Sequence, residues 1–180
     1  MKQKKCLIAA GAALTMAGIA YIILHPKKTT PKGLNAVTGF NKKKYLGRWY
    51  EITRLECSRE KNLQHITAEY SLNKDGSVKV VNRGYNFKKH KMEKMVGRAR
   101  FTGDENIAHL KVSFGLVHAG YNIIAIDKDY KYALVAGDSF NCLWLLSREK
   151  IMPENITSEY LQIAQQAGFS IEDLVWVRQK

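Results

Sequence analysis

Eight short strand-like runs, separated by turn signals at nearly regular intervals, constrain the fold of this chain more than any other feature. They lie at residues 47–56, 65–72, 77–86, 92–102, 107–114, 120–127, 131–137 and 142–148. Apolar and polar residues alternate within them, so that Ile66, Ala68 and Tyr70 share one face of the second run. Eight consecutive strands with short connections predict an all-β fold, an antiparallel up-and-down barrel whose interior can hold one small ligand.

A single amphipathic helix follows the strands. Pro153 and Glu154 suit its first turn, an apolar stripe runs from Ile156 to Ala167, and Gly168 suits its end. A helix with one apolar face must pack against something, and the outside of the barrel is the surface available. Residues 174–177 then predict a short closing strand.

The N-terminal region carries an apolar run of 18 residues without charge, Leu7 to Leu24. As a helix it would be about 27 Å long, close to the hydrocarbon thickness of a bilayer. Two interpretations compete, an uncleaved signal anchor and a cleaved signal peptide. The anchor is favoured because no small-residue cleavage site follows the run. We therefore divide the chain into an anchor or signal peptide (1–25), a Pro- and Gly-containing linker (26–41) and a barrel domain (42–180), with the barrel exported to the periplasm.

The formal charge of +13 predicts attraction to anions such as nucleic acid or anionic lipid head groups, unless it serves solubility alone. The strongest basic cluster of the globular part is Lys88, Lys89, His90, Lys91 and Lys94, around a hairpin turn. It is interpreted either as a contact with anionic head groups near the barrel mouth or as a solvated loop.

Two of the three cysteines, Cys57 and Cys142, fall near neighbouring strand ends in a closed barrel. Counting alternate residues from Trp49 and from Arg148 places both thiols on the same side of the sheet. Their positions along the two strands differ by two residues, about 7 Å, which is too far for a disulfide unless a β-bulge shifts the register. Two free thiols are favoured and a disulfide is the alternative. No Cys-x-x-Cys or zinc spacing occurs, so neither a metal nor a cofactor is expected.

Three segments carry a family resemblance: Gly47-Arg48-Trp49-Tyr50-Glu51, the run 132–135 (Tyr-Ala-Leu-Val) and the run 143–148 (Leu-Trp-Leu-Leu-Ser-Arg). With the terminal helix they resemble the lipocalins, in particular the bacterial Blc-type subfamily, over about residues 38 to 178. The resemblance implies that Trp49 packs across the closed end of the barrel with Arg148 over its ring.

The resemblance also makes Gly47 the tight start of the first strand and matches Tyr130 and Tyr132 to a second family motif. Bacterial members are often outer-membrane lipoproteins with a lipid-modified cysteine after the signal. Cys6 precedes the apolar run, so this chain departs from that pattern.

The resemblance implies that the barrel binds a lipid, either a lysophospholipid or a fatty acid. The protein would store or transport this lipid for envelope maintenance. It implies a membrane partner and allows a homodimer. Inward-facing positions give the candidate pocket: Tyr70, Val80, Ala99, Phe101, Leu110, Val112 and Phe114.

Other function classes receive less support from the residues. An enzyme would need a nucleophile elbow, a paired His and Cys or a metal triad, and none occurs, so no enzyme is expected. A nucleic-acid module would need aromatic residues among the lysines, and only Phe87 adjoins the basic cluster, so no nucleic-acid partner is expected. A structural or partner-binding barrel with a filled core stays open.

Overall fold

Nine strands form one antiparallel sheet in the computed structural model, which describes residues 29–56 and 60–179. The strands are β1 Gly47–Leu55, β2 Leu63–Leu72, β3 Val78–Asn86, β4 Lys91–Phe101, β5 His109–Phe114, β6 Val117–Ile126, β7 Tyr132–Ala136, β8 Leu143–Ser147 and β9 Val175–Trp176. Helix α1 spans Lys42–Tyr45, helix α2 spans Glu154–Gln166, and a 3₁₀ turn spans Ile171–Asp173.

Strand β1 closes the barrel. Its first residues, Gly47 to Tyr50, pair with β2, and its second half pairs with β8. The short β9 adds to β1 at Thr53 and Arg54, where β2 has diverged. The predicted eight-stranded up-and-down barrel with a C-terminal helix outside is confirmed. The predicted N-terminal membrane or signal helix lies outside the described residues, and none of the described helices is long and apolar enough to cross a bilayer.

The connections alternate between two ends of the barrel. Gly47 of β1 and Ser147 of β8 lie at one end, the closed end, together with the 127–131 connection. The β3–β4 turn, the β5–β6 turn and the 137–142 connection lie at the other end, the open end. The sequence predicted a longer β5–β6 connection, but the hairpin runs up to Phe114 and Val117, because Gly115 adopts φ +62° in a two-residue turn.

Two apolar layers hold the fold together. One fills the closed half of the barrel around Trp49, Val78 and Leu110. The other lies outside, between α2 and the strands β1, β7 and β8, where Leu134, Leu145 and the helical residues Tyr160 and Ala164 are buried. The Tyr160 hydroxyl donates a hydrogen bond of 3.1 Å to the Tyr132 carbonyl, which fixes the helix on the sheet.

The segment before α1 packs on the barrel. The sequence predicted a linker over 26–41 with little to bury, yet its described part, residues 29–41, makes backbone bonds to strand neighbours. The Val37 amide donates to the Ile123 carbonyl at 2.9 Å, and the Val37 carbonyl accepts from the Ala108 amide at 3.0 Å. Phe40 is buried in the closed half. Paired backbone groups and one large apolar side chain outweigh the Pro and Gly content of the segment.

Candidate ligand-binding cavity

A cavity of about 350 Å³ occupies the open half of the barrel. This volume lies at the lower end of the range typical of small-molecule pockets. Its walls are mainly apolar and come from inward positions of most strands, since alternate residues of each strand face the interior. Among its lining residues are Leu63, Ile66, Ala68, Tyr70, Val80, Met95, Val112, Phe114, Val117, Ala119, Tyr121, Trp144 and Leu146.

Three tyrosines form the floor of this cavity. The Tyr121 hydroxyl lies 2.6 Å from that of Tyr45 and 2.7 Å from that of Tyr70. Burial raises the pKa of all three hydroxyls, so each stays neutral and can both donate and accept. Tyr70 and Tyr121 line both the main cavity and a void of about 20 Å³ beneath it. The hydroxyl cluster thus separates the ligand-sized space from the packed closed end.

The structure places the predicted pocket residues at two depths. Tyr70, Val80, Val112 and Phe114 line the main cavity. Ala99, Phe101 and Leu110 instead surround the small void below the floor, together with Phe40 and Tyr45. All seven face the interior, but only the upper four contact the space that a ligand could occupy.

At the closed end, Arg148 lies over the indole of Trp49, with the guanidinium carbon 3.9 Å from the ring centroid. Its Nη2 donates to the carbonyls of Lys44, Tyr45 and Leu46 at 2.9 to 3.1 Å, and its Nη1 donates to the Arg48 carbonyl at 2.7 Å. Three of these carbonyls are at the end of α1, where a helix leaves acceptors without partners. One cation therefore joins the helix, the first strand and the last barrel strand.

The other residues of the family motifs lie around this arginine. Gly47 has φ +96°, and a Cβ on it would lie 3.3 Å from Nη1 of Arg148. The Tyr130 carbonyl accepts from Nε of Arg148 at 3.2 Å, while its hydroxyl accepts from the Asn41 amide at 2.7 Å. Tyr132 opens β7, and its carbonyl is the acceptor for Tyr160. These residues build the closed end and do not line the main cavity.

A buried ionic cluster on the β1 side of the cavity was missed by the sequence reasoning. Arg54, 1% exposed, donates from Nη1 to Glu51 at 3.0 Å and from Nη2 to Glu56 at 3.0 Å. Nη2 also donates to the Glu60 carbonyl at 2.8 Å. The carboxylate of Glu60 accepts from the indole N–H of Trp144 at 3.0 Å. Glu51, Glu60 and Trp144 all line the cavity, so the cluster adds polar groups to the β1 side of its wall.

Three carboxyl groups share one guanidinium in this cluster, so full ionisation would leave uncompensated negative charge in a poorly solvated place. The pKa of Glu51 is raised to about 8, mainly by burial and further by the charge of Glu60, while Arg54 acts in the opposite direction. Burial also raises the pKa of Glu60. Glu51 therefore holds a proton at neutral pH and acts as a neutral hydrogen-bonding group in the cavity wall.

A β-bulge explains why parity did not find this cluster. The β1–β8 register shifts between Glu51 and Thr53, so the faces of β1 exchange there. Regular alternation from Trp49, which faces the interior, would place the Arg54 side chain on the outside of the barrel. In the structure Arg54 instead contacts Glu51 and Glu60, which line the cavity. The remaining signal was the charge-rich run from Glu51 to Glu60 itself, which is unusual in a strand that closes a barrel.

The predicted basic cluster lies on the β3–β4 turn at the open end. The turn is well defined, because Oδ1 of Asn86 accepts from the amides of Lys88 and Lys89 at 3.1 and 3.0 Å. Lys89 also pairs with Glu93 at 2.9 Å. Lys94 and Glu93 contribute to the cavity lining. The cluster therefore borders the cavity mouth, as one of the two interpretations required.

The cysteines and possible metal ligands were also assigned from the sequence. Cys142 is disulfide-bonded, so the expectation of two free thiols is wrong for this residue. Cys57 and Cys6 lie outside the described residues. Across residues 29–56 and 60–179, no group of three His, Cys, Asp or Glu side chains could hold a metal ion.

Comparison with known proteins identifies relatives of the whole barrel. A sequence model described as a lipocalin-like domain matches residues 40–179. The chain is 43% identical over 169 residues to the outer membrane lipoprotein Blc of Citrobacter freundii, a match that covers 93% of this chain and 94% of the relative.

Solved structures share the architecture at low sequence identity. The major allergen Per a 4 from cockroaches matches with a TM-score of 0.67 and 18% identity, over 84% of this chain and 96% of that one. The amine-binding protein of Rhodnius prolixus, solved as a tryptamine complex, matches with a TM-score of 0.62 and 19% identity, over 82% and 86%. At such identities the likeness shows the fold alone.

Proposed function

Because this chain belongs to the lipocalin-like domain family, we propose that its barrel binds and carries a single-chain lipid, a lysophospholipid or fatty acid, in the open-half cavity. The acyl chain would lie between the strands, above the tyrosine floor. The polar head would lie at the mouth, where Lys94, Glu93 and His118 border the cavity. The fold and the family support binding of a small hydrophobic ligand, and the lipid class is our proposal.

The cavity itself is the observation that carries this proposal. It is open at one end, apolar on most of its wall and closed below by Tyr45, Tyr70 and Tyr121. A filled barrel would instead continue the packing seen beneath the floor, where only about 20 Å³ remains. A mainly apolar space with charged residues at its mouth suits a molecule that has one acyl chain and one polar head.

Envelope location belongs to the same proposal. The relative from Citrobacter freundii is named an outer membrane lipoprotein. The apolar run of residues 7–24 would serve as the anchor or signal that exports this barrel and keeps it near its lipid pool, in support of lipid storage or transfer during envelope maintenance.

The test is a titration of residues 29–180 with lysophosphatidylcholines and fatty acids of increasing chain length, below their micelle concentrations. Tryptophan emission reports binding, because Trp144 lines the cavity. We expect saturation at one lipid per chain, and about 15-fold tighter binding for each two added methylenes until the cavity is full. Trp144→Phe should abolish the response, whereas Trp176→Phe should keep it, since Trp176 is exposed on β9.

A charge placed in the cavity gives the second arm of this test. Phe114→Glu should weaken binding at least tenfold, because the acyl chain would meet a carboxylate at the cavity wall. Lys111→Glu is the matched control, an exposed position on the same strand. Far-UV circular dichroism checks that both variants fold. The absence of saturable binding for every chain length would reject the carrier proposal and favour a barrel that binds a protein partner.

A further inference from the structure

One side of the barrel wall is incomplete at the open end. Strand β3 accompanies β4 as far as Lys91, but β5 pairs with β4 only from Arg98 to Phe101. The early turn at Gly115 ends the β5–β6 hairpin, so within the described chain residues 91–96 have no paired strand on that side. Glu93, Lys94 and Met95 on one lip and Phe114, Val117 and His118 on the other line the cavity. The gap therefore opens sideways into the ligand space.

Large apolar side chains are exposed around this gap. Leu116 at the tip of the β5–β6 turn is 97% exposed, and Met92 and Val96 on β4 are 60% and 50% exposed. Phe87, at the start of the β3–β4 turn, is 44% exposed. We call residues 87–96 and 114–118 the rim patch. A contiguous apolar patch on a soluble surface generally marks a contact with a partner or a membrane.

The same patch is basic. It carries Lys88, Lys89, Lys91 and Lys94 and a single acidic residue, Glu93, which pairs with Lys89. Among the described residues, Lys88, Lys91 and Lys94 form no ion pair. Exposed apolar tips surrounded by unpaired lysines fit an anionic bilayer surface, where apolar groups enter the acyl region and ammonium groups meet phosphates. A protein surface rich in acid would match the lysines but would not need the isolated tips.

The chain also reaches the barrel on the open half. Nδ2 of Asn122 donates to the Thr29 carbonyl at 2.7 Å and to the Gly137 carbonyl at 3.0 Å. Gly137 directly follows β7 at the open end and lines the cavity. The described chain therefore begins, at Thr29, on the half of the barrel that carries the mouth.

We propose that the rim patch docks onto an anionic phospholipid bilayer, with the gap beside β4 facing the lipid. The inference rests on the proposed carrier function, because it assigns the surface through which the cavity meets its lipid source. Leu116 and Met92 enter the membrane interface in this orientation, and Lys88, Lys91 and Lys94 lie among the head groups.

The test uses the full-length protein and vesicles whose acyl chains carry bromine, a short-range quencher of tryptophan. Leu116→Trp reports the rim patch, and Leu72→Trp, at the exposed closed-end terminus of β2, is the matched control. Both proteins share the same N-terminal segment, so any attachment through it affects them equally. After subtraction of the parent signal, we expect the Leu116→Trp emission to fall by at least half on vesicles containing phosphatidylglycerol, with little change for Leu72→Trp. Equal quenching at the two sites, or none at either, would overturn the docking face.

Charge provides the second readout. Replacing Lys88, Lys91 and Lys94 by Gln in the Leu116→Trp protein should remove most of the quenching, because each lysine at an anionic surface strengthens partitioning about fivefold. The control removes the same charge elsewhere, by Gln at Lys43, Lys128 and Lys131, which are exposed near the closed end. It should keep the quenching. Identical behaviour of the two triple variants would show that net charge alone, and not the rim patch, directs the protein to the bilayer.

The lipid titration on the same proteins separates the two proposals. Saturable lysolipid binding without quenching at Leu116→Trp overturns the docking face and leaves the carrier function standing. Quenching without any saturable lysolipid binding rejects the carrier function and, with it, the role assigned to the docked gap.

Discussion

The buried carboxyl of Glu51 makes the stability of this barrel depend on pH in an unusual direction. Its pKa is about 8 in the folded chain against an ordinary 4.5, because it is buried beside Glu60. Between these two values the native state binds a proton that the unfolded chain releases. The free energy of unfolding therefore falls as pH rises through this window, the opposite of the trend given by paired surface carboxylates.

The magnitude follows from the size of the shift. Each pH unit inside the window is worth about 1.4 kcal/mol for one such proton. From pH 5.5 to 7.5 the parent protein should lose about 2 to 3 kcal/mol relative to Glu51→Gln, whose amide cannot ionise. Near pH 5.5 the two proteins should be similar in stability, since both then carry a neutral side chain beside Arg54.

Urea denaturation of the parent, Glu51→Gln and Glu69→Gln at pH 5.5, 6.5 and 7.5 measures this difference. Glu69→Gln is the control, because Glu69 pairs with Arg83 at 2.9 Å on the exposed face of the neighbouring strand. Its profile should run parallel to that of the parent. If the Glu51→Gln profile also ran parallel to the parent, Glu51 would be ionised in the native state and the charge argument for the cluster would be wrong.

Two further predictions concern the closed end and the cavity floor. Arg148→Met should lower the free energy of unfolding by about 3 kcal/mol, because it removes the guanidinium stacked on Trp49 and its hydrogen bonds to four carbonyls. The control is Arg48→Met, at an exposed position of the same end, which should change the free energy of unfolding by less than about 0.5 kcal/mol. Urea titration with an unchanged m-value is the measurement, and equal losses would contradict the role of Arg148. Tyr121→Phe should cost about 1 to 3 kcal/mol in thermal denaturation, because the hydroxyls of Tyr45 and Tyr70 lose their shared partner; a neutral effect would mean that water reaches the floor.

Strand order and the inward faces of most strands were predictable from alternation. The pattern of Leu110, Val112 and Phe114 identified the interior side of β5, because the side-chain period of a strand does not depend on its neighbours. The position of each inward residue between the open and closed ends was not predictable, because it depends on how the strands are staggered around the barrel. Leu110 and Val112 are two residues apart, yet only Val112 lines the ligand-sized space.

Irregular backbone accounts for most of what alternation could not predict. The bulge beside Glu51 exchanges the faces of β1 and brings Arg54 inside, and no residue of that run signals a bulge. The gap beside β4 arises because Gly115 turns the chain early, which a local pattern cannot place against a neighbouring strand. The backbone hydrogen bonds of Val37 to Ile123 and Ala108 were not predicted, because the nearby Pro and Gly residues favoured a linker.

The double role of β1 has a consequence for how the protein reaches its final state. This strand is made early, but its second half gains its partner only when β8 is available, and the Arg148–Arg48 bond that secures the closed end spans 100 residues. Contacts so distant in sequence slow folding, because the loop entropy must be lost before they form. During synthesis, β1 must therefore keep an unpaired edge until β8 and Arg148 have been made and the barrel can close.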